Sequence, residues 1–348
     1  RDPRFGMPAA VFLLGSIFMA GLGCNGQPAA ESAATAASSS NSPVGVSAHP
    51  GVTAPHPAAA PSTMAPAKSK AVPVAASTDA TPTARHEPLF VGWPKPSLAL
   101  FISGQQHGYI EPCGCSGLTN QKGGLVRRYA CQQQLKEQGW DVVALDVGNQ
   151  VRRFGRQAEI KFQITAEGLK KMKYRAIGFG PDDLRLSAGE LIAITADEGN
   201  SGTPFVCANA AIIDRELTPR FQLIEAAGKK IGVTAVLGSD ELSKVTSDEI
   251  IEQSPEEALR EVWAELARQN CDVYVLLAHA SLEESAQLAR KVPHFHVVVT
   301  AGGAGEPTYE AEKIEGTDAI MVQVGTKGMH VGVVGVYDDP NQPLRYQR

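Results

Sequence analysis

The sequence lacks the features that mark several large classes of protein. Its longest apolar run, Ala9–Gly23, has 15 residues, whereas a membrane-spanning helix needs ~20, so a polytopic membrane protein is excluded. It has no block of basic residues, and residues 95–348 carry 27 basic against 33 acidic side chains. Because binding to nucleic acid depends on neutralising phosphates with clustered basic residues, we expect no nucleic-acid partner.

Large apolar side chains are absent from another part of the sequence. The 61 residues from Asn25 to Arg85 include 18 Ala, 9 Pro, 9 Ser and 6 Thr, but no Leu, Ile, Phe, Trp, Tyr or Cys. Such a stretch cannot bury enough apolar surface to offset the entropy lost on ordering. We therefore predict a disordered tether over residues 25–94 and a single folded domain over residues 95–348, which is long enough for a substantial core.

Residues 1–24 predict an export signal. Two basic residues, Arg1 and Arg4, precede the apolar run, which ends at Cys24. The Gly-Leu-Gly-Cys segment resembles a bacterial lipobox, in which small residues precede a cysteine that is lipidated. The sequence thus predicts an extracytoplasmic protein, anchored to a bacterial membrane through Cys24 and facing the periplasm or the cell surface. The alternative is an ordinary cleaved signal whose cysteine is incidental.

Short β-rich apolar runs alternate with helical patterns from Ser97 onwards. The runs predict strands over 97–103, 142–147, 175–179, 204–208, 221–225, 231–237, 273–278, 297–301, 320–324 and 331–337. Helices are predicted over 124–138, 159–173, 188–197, 254–269 and from Ser281. The helix over 159–173 is predicted from its periodicity, and the helix over 254–269 is predicted from its capping box at Ser254. This alternation predicts an α/β fold with a partly antiparallel or second sheet.

Polar residues collect in the loops after the predicted strands, which is where ligands bind in α/β sheets. The loops are Gly104-Gln105-Gln106-His107-Gly108, Asp146-Val147-Gly148-Asn149, Gly178-Phe179-Gly180-Pro181-Asp182-Asp183, Ala278-His279 and Thr300-Ala301-Gly302-Gly303. Their order resembles the N-terminal domain of the 5′-nucleotidase branch of the calcineurin-like metallophosphoesterases. The resemblance covers about Ser97 to Asp338 and implies a two-sheet sandwich flanked by helices, with two metal ions at the strand ends. It also implies a C-terminal nucleoside-binding domain. We expect residues 95–348 to be used by the first domain alone, and this expectation counts against a nucleotidase.

Carried over by position, the resemblance implies a damaged metal site. Two family aspartates fall on Gln105 and Asn149, and His107 and His279 match family imidazoles. The family's metal-binding Asn and its catalytic His fall on Pro181 and Asp182. Its final Gly-His-x-His segment falls on Gly302, Gly303 and their neighbours, so both of its imidazoles are missing. Neutral amides cannot offset the repulsion between two divalent ions. We expect at most one ion, Zn, Mn or Fe, on His107, Asn149 and His279.

Other residues offer alternative chemistry. If the alignment is shifted, Asp146, Asp182 or Asp183 becomes a metal ligand. A phosphoester hydrolase with a small substrate therefore stays an alternative. Arg127, on the helix after a glycine pair, is a minor candidate for anion contact. Cys113 and Cys115, separated by one glycine, predict a metal-thiolate site, a redox disulfide or a staple within the loop.

Three functional hypotheses therefore remain, in decreasing order of weight. The first is a binding or scaffold protein with an unknown small-molecule or protein ligand, the second is the hydrolase, and the third is the thiol site. The spacing of His294 and His296 also allows a metal pair, but it is more typical of outward imidazoles at a strand edge.

Overall fold

The structure is a computed structural model that describes residues 90–348 except 115–116, 118–119 and 197–201. The predicted export signal, Cys24 and the tether as far as residue 89 lie outside the described residues, and so does Cys115. Within the described ranges, no helix has both the length and the apolar character needed to span a bilayer.

Five strands form the first sheet. They are β1 (Leu98–Ser103), β2 (Val142–Asp146), β3 (Tyr174–Ile177), β12 (Gly332–Val336) and β13 (Leu344–Gln347). Their order across the sheet is β13-β12-β1-β2-β3, with β1, β2 and β3 parallel and the other two pairings antiparallel. The loops that follow β1, β2 and β3 therefore leave the sheet at one common edge.

Six strands form the second sheet, and two more form a separate ribbon. The sheet contains β5 (Phe221–Ala226), β6 (Lys229–Leu237), β8 (Val273–His279), β9 (Val297–Thr300), β10 (Glu312–Lys313) and β11 (Ile320–Gln323). Its order is β10-β11-β9-β8-β6-β5, and β6, β8, β9 and β11 run parallel. The ribbon pairs β4 (Ala210–Ile212) with β7 (Ile250–Glu252).

In the part of the chain that the structure describes, six α-helices accompany the sheets: α1 (Leu125–Glu137), α2 (Arg156–Lys171), α3 (Ala188–Thr195), α4 (Ser239–Leu242), α5 (Pro255–Leu266) and α6 (Leu282–Lys291). The side chains of β1 alternate between two cores, as successive residues of a strand must. Ala99 and Phe101 pack with residues of α1, α2 and α3, whereas Leu98, Leu100 and Ile102 pack against the second sheet. The far side of that sheet packs on α5 and α6. The fold is thus an α/β sandwich of two sheets flanked by helices, as predicted.

Most elements occupy their predicted positions, and the exceptions have physical reasons. Residues 204–208 do not form a strand: Val206 N donates to Ile177 O at 2.9 Å and Ala208 N to Ala235 O at 2.7 Å. The segment leaves β3 for β6, so it makes only an isolated bridge instead of a ladder. Ser254 begins α5 without a side-chain capping bond, whereas Ser281 accepts one from Glu284 N at 3.1 Å.

The folded unit begins before the predicted boundary at Lys95. Phe90 and Trp93 pack on Trp140, with ring centroids 5.2 Å and 6.2 Å from that indole, and Phe90 N donates to Gln347 at 2.9 Å. These contacts join the residues before β1 to the loop before β2 and to β13. Buried aromatic rings are a large source of stabilisation, so this cluster fixes the start of the domain.

Candidate functional site

Backbone hydrogen bonds join the loops after β1 and β2 at the carboxyl edge of the first sheet. Gln105 N donates to Gly148 O at 2.8 Å, and His107 N donates to Asn149 O at 3.1 Å. Gln105, His107 and Asn149 have positive φ angles of 47°, 51° and 62°. Such angles are uncommon outside glycine, and strained backbone of this kind often occurs at functional sites. This edge is therefore the candidate site.

The Gln105 side chain ties this edge to the second sheet. Its Nε2 donates to Ala301 O at 2.8 Å and to Gly325 O at 2.6 Å. These carbonyls belong to the loops after β9 and β11, so one amide connects three loops. An aspartate, which the family resemblance implies at this position, has no N–H and could not make either bond.

The Asp183 carboxylate faces the backbone. It accepts hydrogen bonds from Asn149 N at 2.8 Å, Gly180 N at 3.0 Å and Val151 N at 3.1 Å. The side chain is fully buried, and this burial raises the pKa of Asp183 to about 7, although the backbone donors oppose the rise. Asp183 thus holds the loops after β2 and β3 together.

Asp146, at the end of β2, is also surrounded by donors. It accepts from Ser103 Oγ at 2.5 Å, Gly148 N at 2.9 Å and Gln150 Nε2 at 2.7 Å. Arg128 Nη1 lies 3.6 Å from its carboxylate, with both side chains almost completely buried. The ion pair and its hydrogen bonds lie beneath the candidate site and use the acceptor positions of this aspartate.

The imidazoles of His107 and His279 retain unused nitrogens. Burial lowers the pKa of each to about 4, and the charges of Arg152, His279 and Lys327 add to the effect on His107. Among the described residues, both Nδ1 atoms are buried without a hydrogen-bond partner. Both rings are therefore neutral at pH 7, the state in which an imidazole nitrogen can bind a metal or form a hydrogen bond.

Two of the other predicted site residues have local partners. Asn149 Oδ1 accepts from Asp182 N at 3.2 Å, and the partly exposed Asp182 carboxylate lies 3.6 Å from Arg185. Gly180 packs so closely that an added Cβ would lie 2.4 Å from Asn149 Cβ. The chain around Pro181 is thus held against Asn149 by packing and by one hydrogen bond.

Arg127 lies on α1 and Cys113 on the loop before that helix, both beyond the candidate site. Arg127 is exposed and donates to Gln121 O, whereas the next residue, Arg128, is the one that is buried against the site. Cys113 is buried, and its N–H donates to Lys122 O at 2.8 Å. Because Cys115 lies outside the described residues, the thiol-site hypothesis stays a prediction.

His294 and His296 have separate local roles. The His294 ring stacks on Trp263 with centroids 4.2 Å apart, and His296 Nδ1 accepts from Tyr274 N at 3.0 Å. These contacts explain both imidazoles without a shared ligand, in keeping with the strand-edge interpretation.

The described donors do not fit the pair of metal ions that the family resemblance implies. Within the described ranges, no three His, Cys, Asp or Glu side chains are grouped to hold a metal ion. The Asp146 and Asp183 carboxylates already accept three hydrogen bonds each. Two imidazoles remain, fewer than the three protein ligands of a catalytic zinc site.

Several residues of this site could not be chosen from the sequence. Lys327 and Arg152 act electrostatically on His107 from loops that follow β11 and β2. Neither belongs to a motif, and only the topology places them near the imidazole. The glycine pair and the two successive arginines indicate that an arginine of α1 belongs to the site. They do not indicate that it is Arg128 that points inwards.

Sequence comparison finds similarity to curated apyrases at low identity. No protein-family profile matches the sequence. The chain is 22% identical over 205 residues to an apyrase of Aedes aegypti, covering 52% of this chain and 36% of the apyrase. It is 23% identical over 255 residues to an apyrase of Aedes albopictus, covering 64% and 44%. The chain thus spans less than half the length of these curated relatives.

Solved structures show the same fold. A 5′-nucleotidase precursor from Thermus thermophilus superposes with a TM-score of 0.58 at 22% identity, covering 72% of this chain and 53% of that one. The calcineurin-like phosphoesterase YfkN from Bacillus subtilis gives a TM-score of 0.54 at 16% identity, covering 73% and 90%. The chain therefore has the fold of 5′-nucleotidases and calcineurin-like phosphoesterases.

Proposed function

We propose that this chain is an exported, lipid-anchored binding or scaffold protein that retains a 5′-nucleotidase-like fold around a degenerate metal site. The site would hold at most one divalent ion, and the ligand would be a small molecule or a protein. The supporting observation is that the Asp146 and Asp183 carboxylates each accept three hydrogen bonds from the protein itself.

Two-metal hydrolysis depends on oxygen anions that hold the ions and on a bound water whose pKa they lower. At the implied ligand positions, Gln105 directs its N–H groups at two carbonyls and Asn149 accepts a backbone N–H. Neither side chain offers negative charge. The three loops are held by hydrogen bonds instead, so the edge keeps its shape without an ion.

A second candidate is a hydrolase that acts on a small phosphoester. The observation in its favour is the pair of buried, unpartnered Nδ1 atoms of His107 and His279 among the described residues. The low-identity likeness to apyrases also points this way. In this alternative the two imidazoles would hold one ion, and Arg127, Asp182 and Asp183 would be its weak catalytic candidates.

A hydrolysis assay separates the two candidates. The full chain would be incubated with p-nitrophenyl phosphate, its bis ester and ATP in the presence of Mn²⁺ or Zn²⁺, with and without a chelator. We expect no turnover above that of His107→Ala, which serves as the background variant. Chelator-sensitive turnover that is lost in His107→Ala but kept in His294→Ala would establish the hydrolase and contradict the binding function.

A further inference from the structure

A cavity of about 1110 Å³ lies on one side of the sandwich. Its walls come from α2, α3, the beginning of β3 and the middle of β5. Strands β3 and β5 are the last strands of the two sheets, so the cavity lies where both sheets end. Among the described residues that line it, none belongs to the candidate site at the carboxyl edge. The cavity is therefore a separate feature of the molecule.

The free edge of β5 directs backbone groups into this cavity. On the β8 side of β6, Asp272 N donates to Lys230 O at 2.7 Å, so the residues of β6 next to Lys230 bond to β5 instead. Their partners in the register are Ala226 and Ile224. Leu223 therefore directs its N–H and C=O away from β6, and in the described ranges no other group bonds to them. Leu223 is one of the residues that line the cavity.

The free edge of β3 is open at one residue. Ile177 bonds outwards, because it donates to Pro204 O at 2.8 Å and accepts from Val206 N at 2.9 Å. Arg175, two residues earlier, directs its N–H and C=O to the same side. The next donor along the neighbouring segment would be Pro204, which has no N–H. The ladder therefore stops, and the backbone of Arg175 has no partner on that side among the described residues.

Three cations of the cavity are not neutralised. Lys171, Lys173 and Arg175 line it at the end of α2 and the beginning of β3, and their side chains form no ion pair or hydrogen bond in the part of the chain that the structure describes. Burial, and then the charge of Lys173, lower the pKa of Lys136 on the neighbouring helix α1. Positive charge thus accumulates at this end of the cavity without a carboxylate to offset it.

The carboxylates of the cavity have partners of their own. Arg156 Nη1 lies 3.1 Å from the Glu159 carboxylate and 3.4 Å from that of Glu190. Glu167 accepts a hydrogen bond from Gln163 at 3.0 Å. The charge that remains for an occupant to meet is therefore positive, and electrostatic complementarity favours an acidic occupant.

We propose that this cavity binds an acidic, extended segment of a partner protein, which adds as a strand to the free edge of β5. The backbone of the segment bonds to Leu223, and its acidic side chains contact Lys171, Lys173 and Arg175. An exposed strand edge is a template for such pairing, and the cavity is larger than the ~300–1,000 Å³ of most small-molecule sites. The inference rests on the binding function proposed above and names the chemistry of a protein ligand.

Fluorescence anisotropy of a dye-labelled peptide, Glu-Val-Glu-Val-Glu-Val, titrated with the full chain tests this site. We expect saturable binding of one peptide per chain. The affinity should fall on moving from about 0.05 M to about 0.5 M sodium chloride, because salt screens exposed charges. A Lys-Val-Lys-Val-Lys-Val peptide has the same alternation and the opposite charge, and it should not bind. Equal binding of the two peptides, or no saturable binding of the acidic one up to about 1 mM chain, would overturn the proposal.

Methylation of the peptide backbone distinguishes strand addition from attraction by charge alone. In an extended peptide, the N–H groups of the glutamates and those of the valines point to opposite edges. One peptide methylated on the glutamate nitrogens and another methylated on the valine nitrogens should therefore differ about tenfold in affinity, because only one set of N–H groups bonds to β5. Equal affinities of the two methylated peptides would contradict addition to a strand edge.

Charge-removal variants locate the site. The double variant Lys173→Gln and Arg175→Gln should weaken the affinity for the acidic peptide about tenfold, since it removes two charge-assisted contacts. The matched control is Lys313→Gln with Arg268→Gln, which removes one exposed lysine from β10 and one exposed arginine after α5 and should leave the affinity unchanged. Thermal unfolding of each variant confirms that it folds. Equal affinities in the two double variants would rule out this cavity as the binding site.

The titration and the hydrolysis assay separate this inference from the proposed function. Failure of the acidic peptide to bind overturns the inference and leaves the degenerate metal site as proposed. Chelator-sensitive turnover in the hydrolysis assay would overturn the proposed function itself, whatever the peptide does. Free glutamate that competes as strongly as the peptide would indicate a small-anion site and would also overturn the inference.

Discussion

The two sheets contribute unlike edges to the candidate site. At the first sheet, the loops after β1, β2 and β3 bring buried carboxylates that each accept three hydrogen bonds from the protein. At the second sheet, the loops after β8, β9 and β11 bring His279, whose Nδ1 has no partner in the described ranges, and the carbonyls of Ala301 and Gly325.

The difference shows that one edge of the site stabilises the loops, whereas the other keeps a group that can bind a ligand. The first-sheet edge has used its charged oxygens internally, so it stabilises the loops but offers few ligands. The second-sheet edge keeps one buried imidazole nitrogen, His279 Nδ1, that has no partner among the described residues, and Gln105 joins the two edges through its amide. A metal centre in this fold would depend on carboxylates at the first edge, where Asp146 and Asp183 each accept three hydrogen bonds from the protein.

The largest expected effect comes from breaking the first-sheet edge. Asp146→Ala leaves Arg128, whose side chain is 2% exposed, as a buried charge without a carboxylate. We expect a loss of about 3–5 kcal/mol in the free energy of unfolding, measured by urea denaturation. In the control, Asp338→Ala breaks an ion pair with Lys229 at a carboxylate that is 73% exposed, and should cost much less because water screens an exposed pair. Equal losses would contradict the role assigned to the network.

A smaller effect is expected where the two edges meet. Gln105→Ala removes both donors to Ala301 O and Gly325 O, and we expect a loss of about 1–3 kcal/mol by the same measurement. Gln163→Ala is the matched control on the exposed face of α2, where its amide donates to Glu167 at 3.0 Å, and it should change stability by about 0.5 kcal/mol at most. A Gln105 variant as stable as the control would show that the amide does not join the loops.

Asp183 should make the free energy of unfolding depend on pH. Its pKa of about 7 in the folded chain lies above the ordinary value of 3.8, so the folded state holds a proton that the unfolded state has already lost. The contribution of Asp183 to stability is therefore greatest below pH 3.8, falls as the pH rises, and levels off above about 7. Unfolding free energies measured from pH 4 to 8 should show this fall in the native chain. Asp183→Asn should lack it, and an unchanged slope in that variant would contradict the assignment.

The smallest expected effect distinguishes the two neighbouring arginines. Arg127→Gln alters an exposed side chain and should change the free energy of unfolding by about 0.5 kcal/mol at most. Arg128→Gln removes the cation beside Asp146 and should cost several times as much. The reverse order would show that the inward face of α1 has been wrongly assigned.

The same helix shows where the sequence stops being informative. The sequence pattern places Leu125, Ala130 and Leu135 on one side of α1, but the buried residues of this helix are Arg128, Gln132 and Leu135. A helix that buries an arginine and a glutamine carries almost no hydrophobic pattern, so its orientation depends on partners distant in the sequence. Gln132, for example, donates to Met172 O at 3.1 Å at the end of α2.

The positions of most strands and of the loops after them could be predicted from the sequence because strands of this kind are strongly apolar. Strands β5 and β6, which form a hairpin with its turn at Ala227 and Gly228, were predicted for the same reason. The identity of the groups around His107 was not predictable. Lys161, Arg152 and Lys327 are single basic residues in three separate segments, and only the crossing of those segments brings them to one place.

The metal content of the purified full chain tests the central claim most directly. Elemental analysis after dialysis, with and without reductant, gives the number of divalent ions per chain. Because the Asp146 and Asp183 carboxylates each accept three hydrogen bonds from the protein, we expect at most one ion. We also expect the chain to stay folded after chelator treatment. Two ions per chain, lost together on His107→Ala, would contradict the account.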